Sequence, residues 1–78
     1  MTWEELDQRM RNGAILYYDT TFGPWLDDDG AISNVNRNTA HALLRHDLAV
    51  VSARIDDLLT SYRHKYNESS SATTPSKP

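Results

Sequence analysis

The chain has 78 residues, no cysteine and a formal net charge of −3. That length holds one small domain, whose modest core makes self-association or a partner an expected source of extra burial. Without thiols there are no disulfides or thiolate metal sites, and without a long apolar run or a basic, apolar leader the expectation is a soluble cytoplasmic protein with no membrane partner.

Charge is unevenly spread. Residues 1–30 carry seven acids against Arg9 and Arg11, whereas residues 31–66 carry Arg37, Arg45, Arg54, Arg63 and Lys65 against Asp47, Asp56 and Asp57. An acidic protein can therefore still present one basic face, although not the strong positive field of a non-specific nucleic-acid binder.

Thr2-Trp3-Glu4-Glu5 is a capping-box pattern, with Thr2 as N-cap and Glu5 reaching back. It predicts a helix from about Trp3 to Asn12, closed at Gly13, with Trp3, Leu6 and Met10 forming one apolar stripe. From Ala14 the period changes. Ala14 to Tyr18 is β-branched and aromatic and reads as a strand. Asp19-Thr20-Thr21 reads as a turn into Phe22 to Leu26, where Pro24 argues for an edge strand or an irregular extended piece. Asp27-Asp28-Asp29-Gly30 reads as a tight reversal, and Ala31 to Val35 as a further short strand. The aspartates do not form a calcium loop, because the twelfth position from Asp27 is Asn38 rather than a bidentate Glu.

The best-marked helix follows, over residues 36–47. Asn36 or Asn38 can cap it, and Thr39, Leu43 and Leu44 supply its apolar side. Arg37, Asn38, His41, Arg45 and His46 are left for the opposite side. His41 and His46 are five apart, so they do not stack as metal ligands on adjacent turns would.

Residues 48–66 admit two readings. In one, Ala49 to Ile55 is a strand with Ala49, Val51, Ala53 and Ile55 towards the core. Asp56-Asp57 then turns, and Leu58 to Tyr66 returns with Leu58, Tyr62 and Tyr66 sharing a face. In the other, a single helix runs over 37–66, because no Gly or Pro interrupts it and Leu44, Leu48, Val51, Ile55, Leu58 and Tyr62 form a heptad seam. The first reading gives an α+β domain over residues 1–66: N-terminal helix, short β-hairpin, central helix and a β-hairpin wing. Residues 67–78 are rich in Ser, Thr and Pro and read as a disordered tail.

With that first reading, residues 35–66 resemble a winged-helix domain. The resemblance rests on Val35-Asn36 before Thr39-Ala40-His41-Ala42-Leu43-Leu44-Arg45-His46-Asp47-Leu48, followed by the two strands of a wing. This chain departs from the pattern in three ways. Asp47 stands where such helices often end in Gly, the wing turn is Asp56-Asp57, and residues 14–35 replace the helix that precedes the recognition helix. The resemblance implies DNA binding through Arg37, Asn38, His41 and Arg45 on a recognition helix, with Arg54, Arg63 and Lys65 meeting phosphates. It also implies a regulator working as a dimer.

A second expectation is a protein-interaction module, such as a phage-type or plasmid-type modulator of a host protein. Net acidity and the aromatic residues Tyr17, Tyr18, Phe22 and Trp25 point that way. A Gly-rich phosphate loop, a thiol and a nucleophile–base spacing are all missing from the sequence. The expectation is therefore a non-enzymatic binder with no metal, cofactor or small-molecule substrate.

Overall fold

The computed structural model describes residues 1–67; residues 68–78, which the composition assigns to the tail, lie outside the described residues. The fold is mixed α+β. Its elements are α1 (Trp3–Arg11), β1 (Ile15–Asp19), β2 (Gly23–Asp28), β3 (Ala31–Asn34), α2 (Arg37–Arg45), β4 (Ala49–Arg54) and β5 (Leu59–His64). The strands form one antiparallel sheet in the order β3-β2-β1-β5-β4, so the second hairpin docks its return strand against β1.

Local chemistry sets the helix ends. The Thr2 hydroxyl accepts the Glu5 amide at 3.2 Å, while the Glu5 carboxylate takes Arg9 one turn on at 3.1 Å. At the other end the Gly13 amide donates to the Met10 carbonyl and the Ala14 amide to the Arg9 carbonyl, a Schellman closure. The Asn36 side chain caps α2 by accepting the Asn38 amide at 2.7 Å. The β2–β3 reversal needs positive φ at both central residues, which Asp29 (54°) and Gly30 (91°) supply.

Both helices lie on one face of the sheet. Leu6 and Met10 of α1 and Ala40 and Leu43 of α2 close over Ala14, Leu16, Leu26 and Val35 as one buried core. Trp3, Tyr18, Leu48, Ala49 and Tyr62 pack around its rim. Strand parity then assigns the two faces. Because Leu16 is in register with Leu26 and Tyr62, and Tyr18 with Pro24 and Thr60, these side chains point to the helices. Ile15, Tyr17, Trp25, Asp27, Ile32, Leu59 and Arg63 point to the other face.

Four expectations are corrected. No helix spans 37–66: α2 ends at Arg45, and Asp47 takes a left-handed φ of 60° that turns the chain into β4. Asp tolerates that conformation better than most side chains, so it serves where Gly was missing. The strand with Pro24 is interior, not an edge. The Val35 amide donates to the Pro24 carbonyl at 3.2 Å, so the proline nitrogen faces the end of β3, just past Asn34, and not the β1 ladder. The third concerns β4. Val51, Ala53 and Ile55 are all exposed: Val51, opposite Tyr62, points to the helix side but beyond the helices' reach, and the bulge that follows it turns Ala53, opposite Ser61, to the other face. Finally Asn67, which composition groups with the tail, donates from Nδ2 to the Met10 carbonyl at 2.6 Å and ties the end of the sheet to α1.

One polar cluster joins α1 to β5. His64 is only 2% exposed. Its Nδ1 accepts the Tyr66 amide at 3.0 Å, so Nε2 carries the hydrogen and donates to Asp7 at 2.6 Å. Arg11 completes the cluster by donating to the other Asp7 oxygen at 3.1 Å. Burial by itself raises the Asp7 pKa, but the hydrogen bonds from His64 and Arg11, with the charge of Arg11, outweigh it and hold the carboxyl below its ordinary value.

Candidate nucleic-acid interface

The apolar side of α2 fixes what its other side shows. With Ala40 and Leu43 buried, the four-residue spacing lines up Arg37, His41 and Arg45 along the exposed side, with Asn38 beside them. Residues 36–46 contain no acid. Arg54 of β4 leaves the sheet on the helix side, since its register partner Thr60 faces the helices.

Two members of this strip are held in place. The Arg37 guanidinium reaches the Thr21 carbonyl at 3.4 Å and lies over Gly23, where a Cβ would stand 3.5 Å from Nη2. Gly23 also has φ +93°, so the strand start needs glycine for its backbone, while a Cβ there would meet the arginine only at ordinary contact distance. The His41 Nε2 lies 2.7 Å from the Tyr18 hydroxyl, with the rings edge to face at 5.5 Å. When the Tyr18 O–H donates to Nε2, the ring hydrogen sits on Nδ1 and remains a donor. Asn38 and Arg45 are exposed.

The other basic residues named by the sequence lie elsewhere. Arg63 is on the opposite face of the sheet, in register with Val50. Lys65 follows β5 and bridges Asp47 at 2.6 Å. Thus Arg37, Asn38, His41, Arg45 and Arg54 are brought to one side of the fold, and Arg63 and Lys65 are not.

The four aromatic candidates also separate. Tyr17 and Trp25 stack at 5.5 Å on the face that neither α1 nor α2 covers. Tyr18 is on the helix face against His41. Phe22 stands 86% exposed on the β1–β2 turn, whose backbone is held by the Asp19 carboxylate accepting from Thr21 and Phe22.

Sequence reasoning missed Tyr18 as a neighbour of the basic helix, and the stacking of Trp3 on His46 at 4.1 Å. Alternation along β1 places Tyr18 with Leu16 and so on the core side; nothing local could have said that His41 would meet it. Among the described residues no enclosed pocket is present, and no three His, Cys, Asp or Glu side chains gather in a metal-sized group. No helix among them is long and apolar enough to cross a membrane. No protein-family model matches the chain, and no curated protein or solved structure is detectably similar to it.

Proposed function

We propose that the chain is a small, non-enzymatic DNA-binding regulator, cytoplasmic, that lays the exposed side of α2 against duplex DNA. The observation that carries this reading is the strip Arg37–His41–Arg45 at one-turn intervals on an acid-free helix, with Arg54 of β4 on the same side of the sheet. Arg45 and Asn38 are exposed and suit guanine and adenine edges. Arg37 and His41, already held by Thr21 and Tyr18, suit phosphate contacts, because a fixed donor sets register rather than reading sequence. In the winged-helix comparison α2 takes the place of the recognition helix and β4–β5 that of the wing.

The reading predicts salt-sensitive binding. Three or four phosphate contacts give a slope of log affinity against log salt of about −3. Replacing Arg45 with Ala lowers affinity about tenfold at low salt, the worth of one bidentate base contact. Titrating a pool of duplexes at several salt concentrations measures both quantities. Binding that is absent, or indifferent to salt and to Arg45→Ala, sinks the proposal.

A second reading, a protein-interaction module of the modulator kind, draws on a separate observation. Tyr17 and Trp25 stack on the sheet face away from α1 and α2, beside partly buried Ile15 and Leu59 and exposed Ile32. Aromatic residues on a half-apolar face are the usual anchors of a protein interface.

A further inference from the structure

Among the described residues the sheet has two free edges, and they are built differently. β4 carries a bulge between Val51 and Ala53 and a charge at Arg54, both of which discourage pairing with another strand. β3 is Ala31-Ile32-Ser33-Asn34, with no charge, no proline and no irregularity in its register with β2. Ile32 is 61% exposed there. An unguarded edge with an exposed aliphatic side chain is a template for another strand.

We propose that the occupant of this edge is β3 of a second copy, paired antiparallel about a twofold axis at Ser33. The register follows from which groups are free. The Val35 amide bonds the Pro24 carbonyl, so by alternation the amides and carbonyls of residues 31, 33 and 35 face β2. Those of Ile32 and Asn34 therefore face outwards. A twofold axis perpendicular to the sheet keeps faces matched, so a residue can only oppose one of equal parity. Centring on Ser33 sets Ile32 of one copy against Asn34 of the other, twice, and each pair exchanges both its amide and its carbonyl. Centring on Ile32 satisfies only one such pair.

Charge supports the same register. β3 itself is neutral, so self-pairing opposes no like charges. The acidic β2–β3 turn of each copy, with Asp29 exposed, lies towards the start of α2 in the other, where Arg37 stands. The two helix layers end on the same side of a continuous ten-strand sheet (five strands from each copy). The association is weak, because two four-residue strands cover less than the roughly 800 Å² per partner of a standard interface. It does not depend on the nucleic-acid reading and is tested without DNA.

The absence of cysteine gives a clean test. Ser33 of the two copies would form a non-hydrogen-bonded pair with Cα atoms about 4.5 Å apart, within the span of a disulfide. The full chain carrying Ser33→Cys should form a covalent dimer on mild oxidation, and Ser52→Cys on the β4 edge should not. Sedimentation of the unmodified chain should show a concentration-dependent dimer that weakens with salt. Ile32→Pro removes an outward amide without touching the β2 ladder and should weaken the dimer about tenfold. Ile32→Lys, which leaves the backbone unaltered, should weaken it as well. A chain that stays monomeric at every concentration, or that crosslinks equally through Ser52→Cys, overturns the proposal.

Discussion

The two hairpins of this sheet are similar in length but differ in what covers them. β1–β2 sits under both helices, and its Leu16 and Leu26 are completely buried. β4–β5 is anchored at one end by Tyr62 and His64 and then runs out from under the helices, leaving Val51 45% exposed and Ile55 and Leu58 exposed beyond it. The difference shows that an apolar, alternating strand is not a buried strand. Burial is set by where two nine-residue helices can reach, and those helices cover the middle of the sheet.

The largest effect that would expose this asymmetry is a cavity under the helices. Leu16→Ala should cost about 2–5 kcal/mol, because the site is closed on every side and cannot collapse. For a domain this small that is a large share of total stability, and thermal unfolding should show a steep loss of Tm.

An intermediate effect belongs to the clamp between the second hairpin and α1. Asp7→Asn removes the carboxylate that receives both His64 and Arg11 and should cost about 1–3 kcal/mol, since His64 is left buried with a poorer partner. The loss should appear first as faster amide exchange in β5, with β1–β2 less affected. The same clamp sets a pH dependence. The Asp7 pKa is lowered in the folded chain, so its stabilisation is fully present above the ordinary carboxylate value of 3.8 and is lost as pH falls through the lower folded value. Urea unfolding at neutral pH and in acid should show the wild type losing stability on acidification, and Asp7→Asn losing less.

The smallest effect should be on the outer strand. Val51→Thr lies on an exposed, bulged edge and should change stability by no more than about 0.5 kcal/mol. If it cost as much as Leu16→Ala, the hairpin would have to be covered in solution, and the contrast between the two hairpins would fail.

The elements with their own local signals were legible in the residues. The caps at Thr2 and Asn36, the stop at Gly13, the reversal at Asp29-Gly30 and the change of period at Ala14 each act within a few positions, so a short window contains the whole cause. Along α2 the candidate site was legible for the same reason: helical spacing alone puts Arg37, His41 and Arg45 in line. The wing residues were harder. Arg54 lies on the helix side and Arg63 on the other because of a register that runs through Thr60 to Tyr18 of β1, far away in the chain. His64 could be placed on the face of Tyr62 by parity, but its partner Asp7 is 57 positions away in sequence, and no local pattern joins them.

Residues 48–66 mark the boundary between the two kinds of information. Their β-branched content and their unbroken heptads support a strand pair and a helix about equally, so propensity does not choose between them. Tertiary contacts make the choice. β5 finds an open hydrogen-bonding edge on β1, His64 finds Asp7, and Asp47 takes the left-handed turn that frees β4 from α2. Pro24 in an interior strand has the same kind of cause, since its nitrogen faces the end of β3 and not the ladder with β1. Most of the helix ends and turns were written in the residues alone, because neighbours in the chain settle them. Sheet order, the burial of each strand face and the company kept by each charge were settled only in three dimensions, where contacts far apart in the chain are summed.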